Sequence, residues 1–277
     1  RCARWEDGED KDFILSILLS DASWFRQLME RAYLMRTHAR LVIVGAGIVG
    51  CSAAYHLTQL GWQDILVLDK GPLFETGGST THAPGLIFQT NYSKMMTEFA
   101  KYTVNLLKPL HYAGEQCVYQ VGGIEVAATP ARWEELKRKQ GVAMSYGLEG
   151  HLLSPAEVKQ HIPLIDETVI LGGYYVPTDA DVRGWHCAAA LAQASMNAGV
   201  EFMGNIEVLD IPVRNGRARA VVTDQGTIEC DYVLLCTNVW ASVLYARAIY
   251  GQSVPNARDG TPGDPNLGLE FSGGFKY

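Results

Sequence analysis

Residues 41–44, Leu-Val-Ile-Val, form an unbroken apolar run of strand length, the pattern of a strand buried on both faces. A glycine-rich stretch follows, Gly45-Ala46-Gly47-Ile48-Val49-Gly50, and from Ile48 to Leu60 the apolar positions recur at helical spacing. Gly61 stands where a left-handed residue closes a helix. A second apolar strand, 64–68, ends at Asp69. The order is strand, glycine turn, helix, strand, acid. Further on, the pattern predicts a strand at 123–128, then a charged amphipathic helix opened by Thr129-Pro130 and ended by Gly141. Ser154-Pro155-Ala156-Glu157 has the form of a capping box. A strand is predicted at 169–176 and an Ala-rich helix at 181–198, closed by Gly199. Short strands follow at 200–203, 206–211, 217–223 and 227–236, with Asp224-Gln225-Gly226 turning between the last two. No internal repeat is present.

The pattern is weaker at both ends. Residues 1–38 read as a leader or disordered extension, with Met35 as the expected natural start. The apolar run at 13–19 follows acidic rather than basic residues and is a poor signal peptide. Residues 246–277 read as a disordered tail, with Val254 to Gly274 dominated by Pro, Gly, Asn and Asp. The loss of pattern near Ala246 is read as a frameshift or a fragmentary gene; resequencing the DNA around that codon and finding the frame intact would sink that reading.

Composition removes some classes. The 277 residues carry a net charge of -7, and no basic stripe is present to gather nucleic acid. No apolar run reaches the roughly 18 residues of a membrane span. Of the six cysteines none forms a C-x-x-C pair, so no metal site is expected. Their apolar surroundings suggest reduced, buried thiols in a cytoplasmic or matrix-like compartment.

The chemistry begins at the glycines. Gly45 allows a tight turn, Gly47 lets the backbone approach a pyrophosphate, and Gly50 lets the helix pack closely on the strand. The helix N-terminus offers unpaired N–H groups to the phosphates. Asp69, about twenty residues on, is placed to accept hydrogen bonds from a ribose. The fold class is therefore α/β with a Rossmann-like unit. The glycines alone leave NAD and FAD open. The next segment, 70–85, is a long polar loop of small residues rather than another helix. Such a loop can lie along an extended cofactor and bring backbone N–H groups close to it, which points to FAD and away from a plain NAD dehydrogenase.

At this loop the sequence resembles the FAD-dependent dimethylglycine oxidases and dehydrogenases and the sarcosine dehydrogenases, which are D-amino-acid-oxidase-like flavoproteins. The resemblance covers about 40–244. It rests on IVGAGIVG, LDKGP, GGSTTHAPGL, FQTN, FAKYTV, QVGGIEVA, LLSPAE and GGYYVPTDA, of which GSTTHAPG is the most specific. It implies an FAD-binding domain in two parts, 39–114 and 179–245, with a smaller α+β substrate domain inserted at 115–178, the whole incomplete at its C-terminus. It also implies that His82 carries the flavin through the 8α methyl of the isoalloxazine, a bond that should raise the reduction potential. By the same resemblance Ile48 and Val49 meet the pyrophosphate through their backbone, and Asp69 and Lys70 hold the ribose region. Ser79, Thr80, Thr81 and His82 line the flavin with Leu86, and Val208 meets adenine through its amide and carbonyl. The other histidines carry no such expectation; His56 reads as a surface or packing residue.

The reaction so implied is oxidation of a carbon–nitrogen bond. A small N-methylated amino acid binds over the flavin with its amine neutral, and hydride passes to flavin N5. The iminium product is hydrolysed to formaldehyde or handed to tetrahydrofolate, bound by a further C-terminal module. The setting would be the cytoplasm of a bacterium or the matrix of a mitochondrion. The chain also departs from the family. Relatives carry a His-Gln-Tyr segment that serves the substrate amine, whereas here the region reads Pro255-Asn256-Ala257-Arg258-Asp259-Gly260, and His186 is the last histidine. No catalytic residue is therefore assigned. Two other readings stay open: a non-catalytic relative of the pyruvate dehydrogenase phosphatase regulatory type, against which the presence of His82 argues, and a broken gene product without function.

Overall fold

The structure, a computed structural model, describes residues 36–74, 77–241 and 244. Met35, the apolar run at 13–19 and residues 246–277 lie outside the described residues.

The chain opens with β1 (His38–Val44), the glycine turn, α1 (Ile48–Gln59) and β2 (Ile65–Leu68). The loop after β2 holds one helical turn, α2 (Ser79–His82), and leads to β3 (Leu86–Ile87) and α3 (Lys94–Leu107). Short strands β4 (His111–Tyr112), β5 (Glu115–Gln116) and β6 (Val118–Tyr119) precede β7 (Gly123–Ala127) and α4 (Pro130–Ser145). Then come β8 (His151–Leu153), α5 (Pro155–His161), β9 (Gly172–Val176), β10 (Ala180–Val182) and α6 (Gly184–Asn197). The chain continues through β11 (Glu201–Met203), β12 (Val208–Asp210), β13 (Val213–Arg214), β14 (Arg217–Ala218), β15 (Ala220–Thr223) and β16 (Gly226–Leu235).

One sheet has the order β11-β2-β1-β16-β15-β12. Its first four strands are parallel and the last two antiparallel. The continuous apolar runs have the expected consequence: Leu41, Ile43, Ile65 and Val67 face α1 and α6, while Val42, Val44, Leu66 and Leu68 join Val221 and Ile228 on the other side. The two helices pack on the sheet through small side chains, Ala54 on α1 and Ala188 and Ala192 on α6. A second sheet, β7-β9-β8, is antiparallel, and α4 seals one face by burying Leu136 and Ala143 against Tyr174 and Val176. A third, β3-β10-β6, lies between them in the chain. The α/β expectation holds. No helix among the described residues is long and apolar enough to cross a membrane.

Three helices end alike. The N–H groups of Trp62, Leu148 and Val200 reach the carbonyls of Leu57, Ala143 and Ser195, around Gly61, Gly147 and Gly199, each at positive φ. These are Schellman closures. Gly61 and Gly199 were legible as stops; Gly141 was not one. The helix α4 runs through it to Ser145, because a Gly inside an exposed helix costs only about 1 kcal/mol. The helix expected from 181 begins at Gly184, since Asp181 pairs in β10 with Leu86 and Tyr119. The strand expected at 169–176 starts at Gly172, after a 3-10 turn at Glu167–Val169. The strand expected at 217–223 is split, its first part pairing with β13 as a hairpin. The Ser154 capping box forms as read.

Candidate functional site

The C-terminal ends of β1, β2 and β16 meet at the glycine turn. Gly45 has φ +107°, and its N–H donates to the Leu68 carbonyl. A Cβ there would lie 2.6 Å from the Cys236 carbonyl oxygen, and one on Gly50 would lie 1.9 Å from that of Gly45. Both glycines are therefore dictated by backbone–backbone approach. The first bond inside α1 runs from Cys51 N–H to the Gly47 carbonyl. The N–H groups before it have no intrahelical acceptor. That of Ile48 donates to Thr80 Oγ1 at 3.0 Å. Val49 lies at this open end with its side chain 64% exposed.

Asp69 braces the turn from below. Its Oδ2 accepts from Ala46 N–H at 2.7 Å and its Oδ1 from Gly71 N–H at 2.9 Å. Each carboxylate oxygen has a second lone pair, so both remain able to accept from a ribose hydroxyl. Lys70 pairs with Glu207 at 2.7 Å in the open, an exposed pair worth at most about 1 kcal/mol. Beside Glu207, Val208 lies opposite Thr223 on the edge strand β12. Glu207 accepts from Asp224 N–H through its carbonyl. By alternation the amide and carbonyl of Val208 then point away from β15, to the free edge.

The turn α2 supplies the other wall. His82 is exposed, with Nδ1 3.0 Å from the Gly78 carbonyl and 3.0 Å from Thr81 Oγ1. A carbonyl only accepts, so Nδ1 carries a proton, which leaves Nε2 as the nitrogen with the lone pair whenever the ring is neutral. Ser79 Oγ accepts from Asn238 Nδ2 at 2.7 Å. Leu86, beyond the turn, is 57% exposed. The expected residues thus fall into two groups on one rim: Gly45, Gly47, Ile48, Val49, Gly50, Ser79, Thr80, Thr81, His82 and Leu86 around the two turns, and Asp69, Lys70 and Val208 beside them. His56, outside this rim, links α1 to α3 through Nε2 and the Tyr102 hydroxyl at 2.7 Å. The thiols of Cys51, Cys117, Cys187 and Cys230 are buried, and burial pushes those of Cys51 and Cys187 up to about 12.

Sequence reasoning missed four residues. Thr237 and Asn238, in the loop after β16, lie against Gly45 and Ser79, and Thr237 Oγ1 is buried without a partner among the described residues. Polar residues directly after a strand that pairs parallel with β1 were the available signal. Gly85 closes the GSTTHAPG motif but was given no role of its own, and Gly184 carried no signal. A Cβ on the first would lie 2.1 Å from the Val182 carbonyl, and one on the second 2.6 Å from that of Thr80. These two contacts seat the α2 turn on β10 and on the start of α6. Surface depressions beside Trp62, before β2, and beside Tyr232, midway along β16, hold none of these groups.

The site fits a dinucleotide on three counts: the open N-terminus of α1, the Thr237 hydroxyl, buried with no partner among the described residues, and a glycine cradle that side chains would fill. Fold and site together define a Rossmann-type dinucleotide-binding protein. Residues 40–261 match the FAD dependent oxidoreductase (DAO) family, and the chain belongs to it. It is 36% identical over 205 residues to the mitochondrial pyruvate dehydrogenase phosphatase regulatory subunit of Mus musculus, covering 73% of this chain and 23% of that protein. It is 33% identical over 221 residues to the formaldehyde-forming 4-methylaminobutanoate oxidase of Paenarthrobacter nicotinovorans, covering 79% and 26%. Mitochondrial sarcosine dehydrogenase of Mus musculus is 32% identical over 216 residues, covering 74% and 23%. The chain thus spans about a quarter of the length of these relatives. Among solved structures, L-proline dehydrogenase from P. horikoshii superposes with a TM-score of 0.72 at 23% identity, over 80% of this chain and 58% of that one. Glycine oxidase from Geobacillus kaustophilus gives 0.66 at 24% identity, over 79% and 60%. These likenesses establish the fold.

Thr80 gives a direct test of the rim. Its hydroxyl accepts from Ile48 N–H and has its own hydrogen left for a phosphate oxygen. Thr80→Val is expected to weaken FAD binding about tenfold, roughly 1.4 kcal/mol, in a fluorescence titration. Unchanged affinity would remove Thr80 from the site.

Proposed function

We propose that residues 39–114 and 179–245 form an FAD-binding unit, that residues 115–178 are an inserted substrate-binding unit, and that the protein oxidises the carbon–nitrogen bond of a small N-methylated amino acid. The observation that carries this reading is the exposed His82 imidazole, held by its Nδ1–H on Gly78 beside the dinucleotide turn. Its Nε2 is the nitrogen we propose to bond the flavin. When bound, FAD supplies the hydride acceptor. The chain's own groups do the rest. Ile48 and Val49 receive the pyrophosphate, joined there by Thr80, which was expected beside the flavin but takes the Ile48 N–H on its hydroxyl. Asp69 and Lys70 hold the ribose region, and the peptide of Val208 the adenine. Leu86 forms an apolar floor for the ring. Relatives named for 4-methylaminobutanoate, sarcosine and dimethylglycine support the substrate class. The mitochondrial names among them support a matrix setting for a eukaryotic bearer of this chain.

The test is a denaturing gel of the full chain expressed with FAD, viewed under ultraviolet light before staining. A fluorescent band that His82→Ala abolishes, while flavin remains in the undenatured variant, is the expected result. A dark wild-type band with flavin released to the supernatant would overturn the bond and keep the site. Anaerobic bleaching of the flavin by sarcosine, dimethylglycine or 4-methylaminobutanoate then reads the substrate. A second reading, a non-catalytic relative, is favoured by the 36% identity to the phosphatase regulatory subunit. It requires that none of these amines bleaches the flavin, or that no flavin binds.

A further inference from the structure

The inserted sheet is joined to the rest by two connections, and both pass through one place. Residues 120–122 lead from β6 into β7, and 177–179 lead from β9 out to β10. Gly122 N–H donates to the Asp179 carbonyl at 3.0 Å, and Gln120 Nε2 to the Thr178 carbonyl at 3.2 Å. A third strand of chain, just after β3, is tied to the same point. The Gln89 N–H donates to Asp179 Oδ1 at 2.9 Å, and Gln89 Nε2 to Thr178 Oγ1 at 2.8 Å. Asp179 is only 4% exposed and Gln89 only 3%. The other oxygen of Asp179 rests on Gly123, where a Cβ would come within 2.7 Å of it. From this knot the chain runs through β10, which pairs with Leu86, to Gly184, which touches the Thr80 carbonyl. A continuous spine therefore links the inserted sheet to the turn that carries His82.

We infer that Asp179 is a positioning residue: its side chain locks the two connections of the inserted sheet to the loop after β3, and so fixes where that sheet stands relative to the flavin-facing turn. The inference rests on the flavin reading above for its second clause and on hydrogen-bond geometry for its first. Gly122, at φ +77° where one connection enters β7, gives that link a turn that only glycine takes readily. The carboxyl supplies the fixity.

The lock responds to protons. Burial raises the Asp179 pKa from 3.8 to about 6, against the hydrogen bonds from Gln89, with Glu125 on β7 adding to the rise and Lys139 on α4 opposing it. Tyr174 on β9 is the other titratable group at this place, its hydroxyl bonded to Thr90. A group whose pKa is raised by packing holds its proton in the packed state. Its contribution is complete below the ordinary carboxylate range near 4 and is lost as the pH rises through about 6.

The experiment is hydrogen exchange on the full chain without flavin, with the amides of Gln89 and Gly122 referred to that of Ile43 in the central strand. In the wild type the relative protection of Gln89 and Gly122 should fall about tenfold between pH 5 and 7.5, with a midpoint near 6. Asp179→Asn keeps the shape and the acceptor without the charge, and should hold the high protection at every pH. Asp179→Ala should lose it at every pH while Ile43 is unchanged. Equal loss at Ile43 and Gln89 would mean a purely global effect and would overturn the inference, as would a wild-type profile as flat as that of Asp179→Asn. Flavin titration of the wild-type chain is run separately. A chain that binds no flavin sinks the clause on flavin placement, and the exchange profile alone then decides the lock.

Discussion

Gly50→Ala is expected to destabilise the chain by about 3 kcal/mol or more and to abolish FAD binding. The added methyl would sit 1.9 Å from the Gly45 carbonyl oxygen. No side chain can swing away, because the obstacle is backbone. Either α1 lifts off the sheet or the turn opens, and overpacking of this kind costs about 1–3 kcal/mol even where some relaxation is possible. Either movement also displaces the N–H groups that receive the pyrophosphate. Gly141→Ala is the natural control. It makes the same chemical change inside α4, where a Cβ would meet nothing within 4 Å. There the gain in helix propensity should stabilise by about 0.5–1 kcal/mol. Urea unfolding followed by circular dichroism reads both variants. Equal effects of one sign at the two positions would refute the close-approach argument.

Asp69→Ala is expected to cost about 2–4 kcal/mol of stability and at least a hundredfold in FAD affinity. The carboxylate accepts from Ala46 N–H and Gly71 N–H, tying the glycine turn to the loop after β2. Hydrogen bonds to a charged acceptor are worth about 1.5–3 kcal/mol each, and both donors would be left without their partner. The same group is the acceptor proposed for the ribose hydroxyls. Asp69→Asn keeps one oxygen and should fall between alanine and wild type in both measurements. Full stability in Asp69→Ala with lost flavin affinity would mean that the two backbone bonds contribute nothing to the fold. Lost stability with intact affinity would remove Asp69 from the cofactor site.

Much of this site was legible because local rules wrote it. The run 41–50 specifies a buried strand and a close-packed turn whatever surrounds it, since Gly45 and Gly50 are forced by contacts within the unit itself or with the adjacent strand. Gly61 and Gly199 marked helix ends because a positive φ is cheap only for glycine. Gly141 showed the limit of that rule, because an exposed helical glycine and a helix-ending one look the same in a sequence. The start of α6 was misplaced for a related reason. Asp181 has a strand conformation only because Leu86 and Tyr119, far away along the chain, pair with it.

The sequence by itself determined the strand–turn–helix–strand unit, the acid at its end and, through GSTTHAPG, the flavin class, because these depend on residues close together in the chain. Tertiary structure alone decided that the loop after β16 brings Asn238 to Ser79, that Gly184 receives Thr80, and that Asp179 ties three distant segments together. Such contacts join residues separated by many positions, and no local propensity records them. They exist because a polar group buried by packing must find a partner, and only the packed chain determines which partner lies within reach.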